Sequence, residues 1–443
     1  MSRLLALTAL LAALPVSAET LQEVVNAAVA NYPSIRVSNE QLKAAASNIA
    51  LVRTAWLPRA DLLGQVNRAT KNNIYGLTLP QSTLPSISGP PNPTNSLGSV
   101  WGSAVGFLVS WEPFDFGLRQ ANVDVAEAAR KKAEASVERT RFEVAALAAD
   151  AYLTELAARE TLRAAEAQAT RAKQVGTIVE ALAKAELRPG ADVSRSQAEV
   201  AAAGIQVVQA RSAIAQAQAT LRQFTGKPVL VVATGAPPEM ASAGEVSGSP
   251  YAREQSASIA EADAKRKALD REWYPKFNAQ AASYARGTGV SPEGITPGGA
   301  NGLGPNIHNW ALGMTVTFPL MDLPGLRLRR EIADHQKSAE SAKYEQVLTE
   351  LNARVAKAQD QVETAKQVAA LAPVQLNAAR AAEAQAGARY KAGLGTLVEV
   401  AEAQRLLTQS EIDEALAKLN VWRSLLQVAV AAGDLKPFLE QVK

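Results

Sequence analysis

The 443-residue sequence has no cysteine and only two histidines, His308 and His335. The first absence excludes disulfides, thiolate chemistry and a lipid-accepting cysteine. The second argues against a metal site, because the two imidazoles fall at opposite ends of one strand-helix stretch. No Ser-His-Asp order, glycine-rich phosphate loop or carboxylate pair in a strand-loop context is present, so no catalytic residue and no cofactor is expected. An excess of one charge is also lacking: 46 Lys and Arg stand against 43 Asp and Glu, a formal net charge of +3. That balance gives no electrostatic case for nucleic acid as a partner. Long apolar runs are missing too. The run Leu4 to Leu14 falls short of the ~20 residues a spanning helix needs, and no later stretch reaches that length. Preceded by Arg3 and followed by Pro15 and Val16-Ser17-Ala18, it reads as a secretory signal over residues 1–18 with cleavage after Ala18. The rest should be soluble, peripheral, or inserted as β-strands.

What is present is repetition. The stretch from Tyr390 to Gln404 has a fainter copy 207 residues earlier, where Lys184-Ala185-Glu186-Leu187 meets Lys391-Ala392-Gly393-Leu394, Asp192-Val193 meets Glu399-Val400, and Gln197 meets Gln404. At an offset of 217, Pro33, Arg36, Trp56 and Pro58 meet Pro250, Arg253, Trp273 and Pro275. The chain therefore reads as a duplication: a first repeat over 19–226, a linker over 227–249, a second repeat over 250–433 and a tail over 434–443.

Each repeat opens with helical spacing and changes period after its Trp-X-Pro. Phe277, Ala279, Ala281, Ser283 and Ala285 share one face of an alternating stretch, while Lys276, Asn278, Gln280, Tyr284 and Arg286 mostly supply polar groups to the other. Trp310, Leu312, Met314, Val316 and Phe318 alternate more clearly still, and Trp101 to Trp111 is their copy. Strand pairs are expected at about 60–70 with 100–112 and at about 276–286 with 308–320. Breaker-rich segments, 72–98 and 287–307, lie between the members of each pair. Two segments of roughly 68 residues follow, long enough for helices of about 100 Å at 1.5 Å per residue. In the second, Leu348, Leu351, Val355, Ala358, Val362, Ala365, Ala369, Ala372, Leu376 and Ala379 keep a 3,4 spacing, the seam of a supercoiled helix. Pro373 is expected to kink or fray it. Tight tips at about 185–192 and 392–399 lead into return helices that end at Gly226 and Gly433.

Four strands cannot close a barrel with an interior, and open edges are not viable in a bilayer. If the strands span a membrane, several chains must share one barrel. The order of these features, twice over, together with Phe114-Asp115-Phe116-Gly117 at the strand-to-helix crossover and Ala-Gly-Leu-Gly-Thr at the second tip, resembles the TolC-like outer-membrane efflux proteins. The resemblance covers the whole chain after the signal. It implies a fold that is mainly α with a transmembrane β-barrel part: a homotrimer sharing twelve strands in outer-membrane lipid, with a long periplasmic helical barrel. It also implies an exit duct for a tripartite efflux pump or type I secretion system, docked to a periplasmic adaptor protein and an inner-membrane pump. A periplasmic coiled-coil adaptor, or a structural protein without a channel, is the alternative.

Within this reading Glu399 and Glu402, three apart at the start of a return helix, project to one side and form an entrance charge ring that favours cations. Tyr390 and Asp192 occupy positions that in the family hydrogen-bond between adjacent tips, a latch. Two departures weaken it: Gly395 stands where the family can have an arginine, and Ala191 where it can have a threonine. Leu187, Arg188, Gly190, Gly393, Leu394, Gly395 and Thr396 form the expected adaptor-docking tips. Trp101, Trp111, Trp310 and Phe318 fit an aromatic belt at strand ends.

Overall fold

A computed structural model describes residues 18–70, 97–232, 245–290, 295 and 297–441. The expected signal segment up to residue 17, most of the first breaker-rich segment (71–96) and part of the expected linker (233–244) lie outside the described residues. The elements in chain order are β1 (Ala18–Glu19), α1 (Leu21–Asn31), α2 (Pro33–Arg53), β2 (Arg59–Thr70), β3 (Ser99–Trp111), α3 (Leu118–Lys184), α4 (Gly190–Thr225), β4 (Leu230–Val231), α5 (Pro250–Leu269), β5 (Lys276–Thr288), β6 (Ile307–Thr317), α6 (Leu323–Lys391), α7 (Leu397–Ala432) and α8 (Lys436–Leu439). The chain is mainly helical with a small antiparallel sheet. It divides into two compact units, one of Met1–Leu42, Ala133–Ser256 and Ala342–Lys443, the other of Lys43–Lys132 and Ala257–Ser341.

The first unit is helical. Thr20 starts α1 with a capping box, its hydroxyl accepting from Glu23 N while the Glu23 carboxylate accepts from Thr20 N. Proline opens both α2 and α5, at a first-turn position whose N–H would have no helical partner anyway. At the far ends, Gly226 and Gly433 close α4 and α7 with φ of +74° and +80°, a conformation glycine adopts without a Cβ clash. The core joins Leu21, Val24 and Val25 of α1, Tyr152 and Leu153 of α3, Leu221 and Phe224 of α4, Val362 of α6, and Trp422, Leu425 and Leu426 of α7. Here β1 pairs in parallel with β4, and Tyr152 Oη donates to Val232 O at 2.7 Å and Glu19 O at 3.3 Å.

Helix α6 buries the expected seam at Leu351, Ala358, Val362, Ala365, Ala372, Leu376 and Ala379. It runs through Pro373 without interruption, so the expected fraying is not observed. Proline removes only one helical hydrogen bond, and buried Ala372 and Leu376 hold the turn on either side. The break in the seam of α3 at Glu155 has a structural reason. This carboxylate is fully buried, and its Oε1 accepts from Arg159 Nε and Nη2 at 3.0 and 2.8 Å and from Gln218 Nε2 at 3.2 Å.

The second unit holds one antiparallel sheet in the order β2-β3-β5-β6. Its register stacks Leu62, Phe107, Ser283 and Trp310 in one row, and Ala60, Val109, Ala281 and Leu312 in the next. These residues share a face with Val66, Val105, Met314 and Val316. That face is apolar and exposed, with Trp310 at 81% and Leu312 at 74% exposure. The opposite face carries Asp61, Gln65, Asn67, Gln280, Tyr284, Arg286 and Thr315, with a small apolar patch of Leu108, Ala282 and Tyr284. The sheet is thus inverted relative to a soluble one, in which the apolar face is covered. At the end of β3, Phe116 and Gly117 take positive φ of 52° and 87°. The Asp115 carboxylate accepts from Gly117 N and Arg119 N, while Arg119 Nη2 donates to Glu112 O at 2.7 Å and Nη1 to Ala55 O at 3.2 Å.

Candidate functional site at the helix tips

Both tips close by the same hydrogen-bond pattern. Leu187 N donates to Leu182 O and Leu394 N to Arg389 O, each at 2.9 Å, while Glu186 N reaches Ala183 O at 3.0 Å and Gly393 N reaches Tyr390 O at 3.1 Å. These are Schellman-type ends of α3 and α6, and each requires one left-handed residue. Gly393 supplies it with φ +76°, and Glu186, at the equivalent position of the first repeat, with φ +61°. Leu187 and Leu394 then project outward, 69% and 73% exposed. Gly190 is the first residue of α4, and Gly395 is buried behind the second turn.

Thr396 caps α7, its hydroxyl accepting from Glu399 N at 3.3 Å. Glu399 therefore sits in the first helical turn, with its Oε2 3.9 Å from Arg389 Nε. Arg389 also donates to Leu394 O at 3.3 Å. Glu399 remains about half exposed and Glu402, a turn further on, is exposed, so both carboxylates reach solvent.

Tyr390 is buried among Val179, Leu397 and Val400, which packs the end of α6 against α3 and α7. Its Oη has no hydrogen-bond partner among the described residues. Burial raises the phenol's pKa above its ordinary value, the nearby Asp192 carboxylate adds to that, and Arg188 opposes it. Asp192, in the first turn of α4, thus lies within electrostatic reach of the phenol without a hydrogen bond to it inside the chain. Arg188, expected among the docking residues, is turned inward. Its Nη2 donates to Tyr390 O at 3.0 Å and to Gly395 O at 3.2 Å, and its guanidinium carbon lies 4.4 Å from the centroid of the Tyr390 ring.

Two further arginine ties join the hairpins behind the tips. Arg405 of α7 donates to Glu199 of α4 at 2.7 Å, and Arg171 of α3 donates to Thr408 at 3.0 Å and to both oxygens of Glu411, the closer at 2.8 Å. Helical spacing marks neither pair in advance, because each joins residues more than 200 positions apart.

The aromatic residues of the sheet unit divide by environment. Trp101 stacks under Arg68, 5.3 Å from ring centroid to guanidinium carbon, and Trp111 Nε1 donates to Trp56 O at 3.1 Å. Trp310 is free on the apolar face, and Phe318 lies one residue beyond β6, where Pro319 has no N–H to continue the ladder. Among the described residues no helix is long and apolar enough to cross a membrane.

Residues 24–227 and 247–434 match the family described as Outer membrane efflux protein. Among solved structures, the chain is similar to the CmeC outer membrane channel of Campylobacter jejuni, with 16% identity, a TM-score of 0.75, and coverage of 94% of this chain and 86% of that one. It is similar to the outer membrane protein VceC of Vibrio cholerae at 16% identity and a TM-score of 0.72, over 94% and 96% of the two chains. It is also similar to the open state of the MtrE outer membrane channel of Neisseria gonorrhoeae, at 18% identity and a TM-score of 0.69, over 94% and 89%. No curated protein matches it by sequence.

Proposed function

Because the chain belongs to the outer membrane efflux protein family, we propose that it is the outer-membrane exit duct of a tripartite efflux pump or type I secretion system, a passive conduit gated at its periplasmic helix tips. The family is one of transport rather than catalysis. The observation that carries the reading is the inverted sheet: an apolar exposed face against a polar opposite face is what a strand set needs when lipid lies on one side and water on the other. Its two edge strands, β2 and β6, have no further strand partner among the described residues. Neighbouring copies supply the missing partners, and three chains of four strands close one barrel.

The helical unit supports the same assembly. Ile205 and Val208 on α4, and Val368, Leu371 and Val374 on α6, form exposed apolar stripes at helical spacing. In a homotrimer these stripes face the helices of neighbouring copies. The tips, with Leu187 and Leu394 outermost, dock a periplasmic adaptor that connects to an inner-membrane pump. Glu399 and Glu402, repeated three times, line the entrance and favour cations. Tyr390 and Asp192 act as the latch between tips when the phenol, without a hydrogen-bond partner among the described residues, finds its acceptor.

Reversal potentials across planar bilayers test the reading. The purified protein should conduct with a cation preference that falls in the Glu399→Gln/Glu402→Gln double variant. A conducting pore whose selectivity is unchanged in that variant removes the charge ring from the entrance, and an absence of conductance even when the tips are opened by mutation removes the duct.

A further inference from the structure

Arg188 and Gly395 occupy the same position of the two repeats, 207 residues apart, and the fold brings them together. The guanidinium of the first tip lies across the second, donating to the carbonyls of Tyr390 and Gly395 and covering the Tyr390 ring. Tyr390 O belongs to the last turn of α6, where a helix leaves carbonyls without helical donors and presents the negative end of its dipole. Position 395 is tight for a side chain of its own, so that its neighbours would have to give way slightly. A Cβ there would lie 3.2 Å from Arg389 Cβ, 3.2 Å from Glu399 Oε2 and 3.3 Å from Tyr390 N.

We propose that Arg188 is a staple between the two tips of one chain, and that this staple holds the mouth in its resting, closed arrangement. The inference rests on the gated-duct reading above. One cation, carried by the first tip, serves both repeats. Its acceptors are neutral, unlike those of Arg405 and Arg171, which pair with Glu199 and Glu411. Release of Arg188 therefore leaves no carboxylate unpaired. The cation returns to water, and Tyr390 O keeps its bond from Gly393 N at 3.1 Å. The outermost tie is the one that breaks at least cost, which orders opening from the tip inward.

The test uses distance rather than current. The chain has no cysteine, so Leu187→Cys and Leu394→Cys place one spin label on each tip of a chain, and assembling labelled chains with an excess of unlabelled cysteine-free chains in lipid isolates the distance within one chain. Arg188→Ala should lengthen and broaden the distance distribution, with a roughly tenfold shift in the closed-to-open ratio, equivalent to about 1.4 kcal/mol and near the lower end of charge-assisted hydrogen bonds. Arg188→Lys keeps the charge but not the planar fork that spans two carbonyls, and should open the tips part of the way. This milder variant gives the same reading should the alanine variant fail to fold. Tyr390→Phe removes the latch hydroxyl but keeps the ring and both carbonyls that Arg188 holds, and should open the tips less than Arg188→Ala. An unchanged distance in both Arg188 variants overturns the staple. Opening in Tyr390→Phe as large as in Arg188→Ala overturns it in favour of the phenol latch. Failure of the duct reading shows separately, as a protein whose tips open in Arg188→Ala and which still does not conduct.

Discussion

The inverted sheet makes a prediction whose size depends on whether lipid covers its apolar face. Leu312 lies in the middle of β6, opposite Ala281 and between Trp310 and Met314 on the exposed face. Thr315, on the same strand and opposite Asn278, belongs to the polar face. If the face of Leu312 were wet, Leu312→Lys would be a surface substitution within about 0.5 kcal/mol of neutral. Against lipid near the midplane it costs roughly 2–4 kcal/mol per chain. Three chains in one barrel bring that to roughly 6–12 kcal/mol per pore if the copies add. Thr315→Lys faces water in either case and costs little. Refolding from urea into lipid vesicles, scored by the heat-sensitive oligomer on a gel, separates the two. Leu312→Lys should lose most of the assembled species while Thr315→Lys retains it. Equal yields from the two variants would refute the lipid-facing assignment.

Three other outcomes follow from the helical core and its charges. Removing Arg159 leaves Glu155 buried without its counter-charge, so Arg159→Leu should destabilise by about 3–5 kcal/mol. Glu155→Gln should cost less than half of that, because Arg159 is partly exposed and can turn to water; urea unfolding followed by Trp422, in the same core, compares them, and the reverse order would contradict the assignment. Burial is the largest single influence on Asp115 and opposes its ionisation, but hydrogen bonds from Arg119 and Gly117 outweigh it and hold the carboxyl below its ordinary pKa. Hydrogen bonds from Lys267 and Lys337 do the same for Asp263. Both contributions are complete above roughly pH 4, the unfolded value, and are lost as pH falls through the lower folded values, so the unfolding midpoint should drop below pH 4 and drop less in Asp263→Asn. Burial, with a smaller contribution from Glu155, pushes the Tyr152 phenol up to about 12. Its contribution to stability is complete below roughly pH 10 and lost as pH rises through about 12, and Tyr152→Phe should cost about 1 kcal/mol at neutral pH.

Much of the chain was readable because its periods are strong. Trp310, Leu312, Met314 and Val316 alternate without exception, and in the structure they stand on one exposed face. Alternation does not reveal where a ladder stops, and Phe318 falls outside β6 because Pro319 ends it. At Pro373 local propensity predicts a kink or fraying, but the helix continues through it, with the seam buried at Ala372 and Leu376 on either side. The tips were legible as turns from their glycines. The left-handed Glu186 was not, since only its alignment with Gly393 hints at it. The interior of the site was the least legible. Arg188 read as an adaptor-docking tip residue, but its acceptors are backbone carbonyls, which no side-chain pattern announces. The one available signal was its equivalence to Gly395 across the duplication.

The central claim is that four strands with two open edges are a fraction of a shared barrel. Native mass measurement of the protein extracted from outer membranes in detergent tests it most directly. The account predicts a species of three chains that persists without added partner proteins. A single chain, or a protein recovered only from the soluble periplasm, would contradict it.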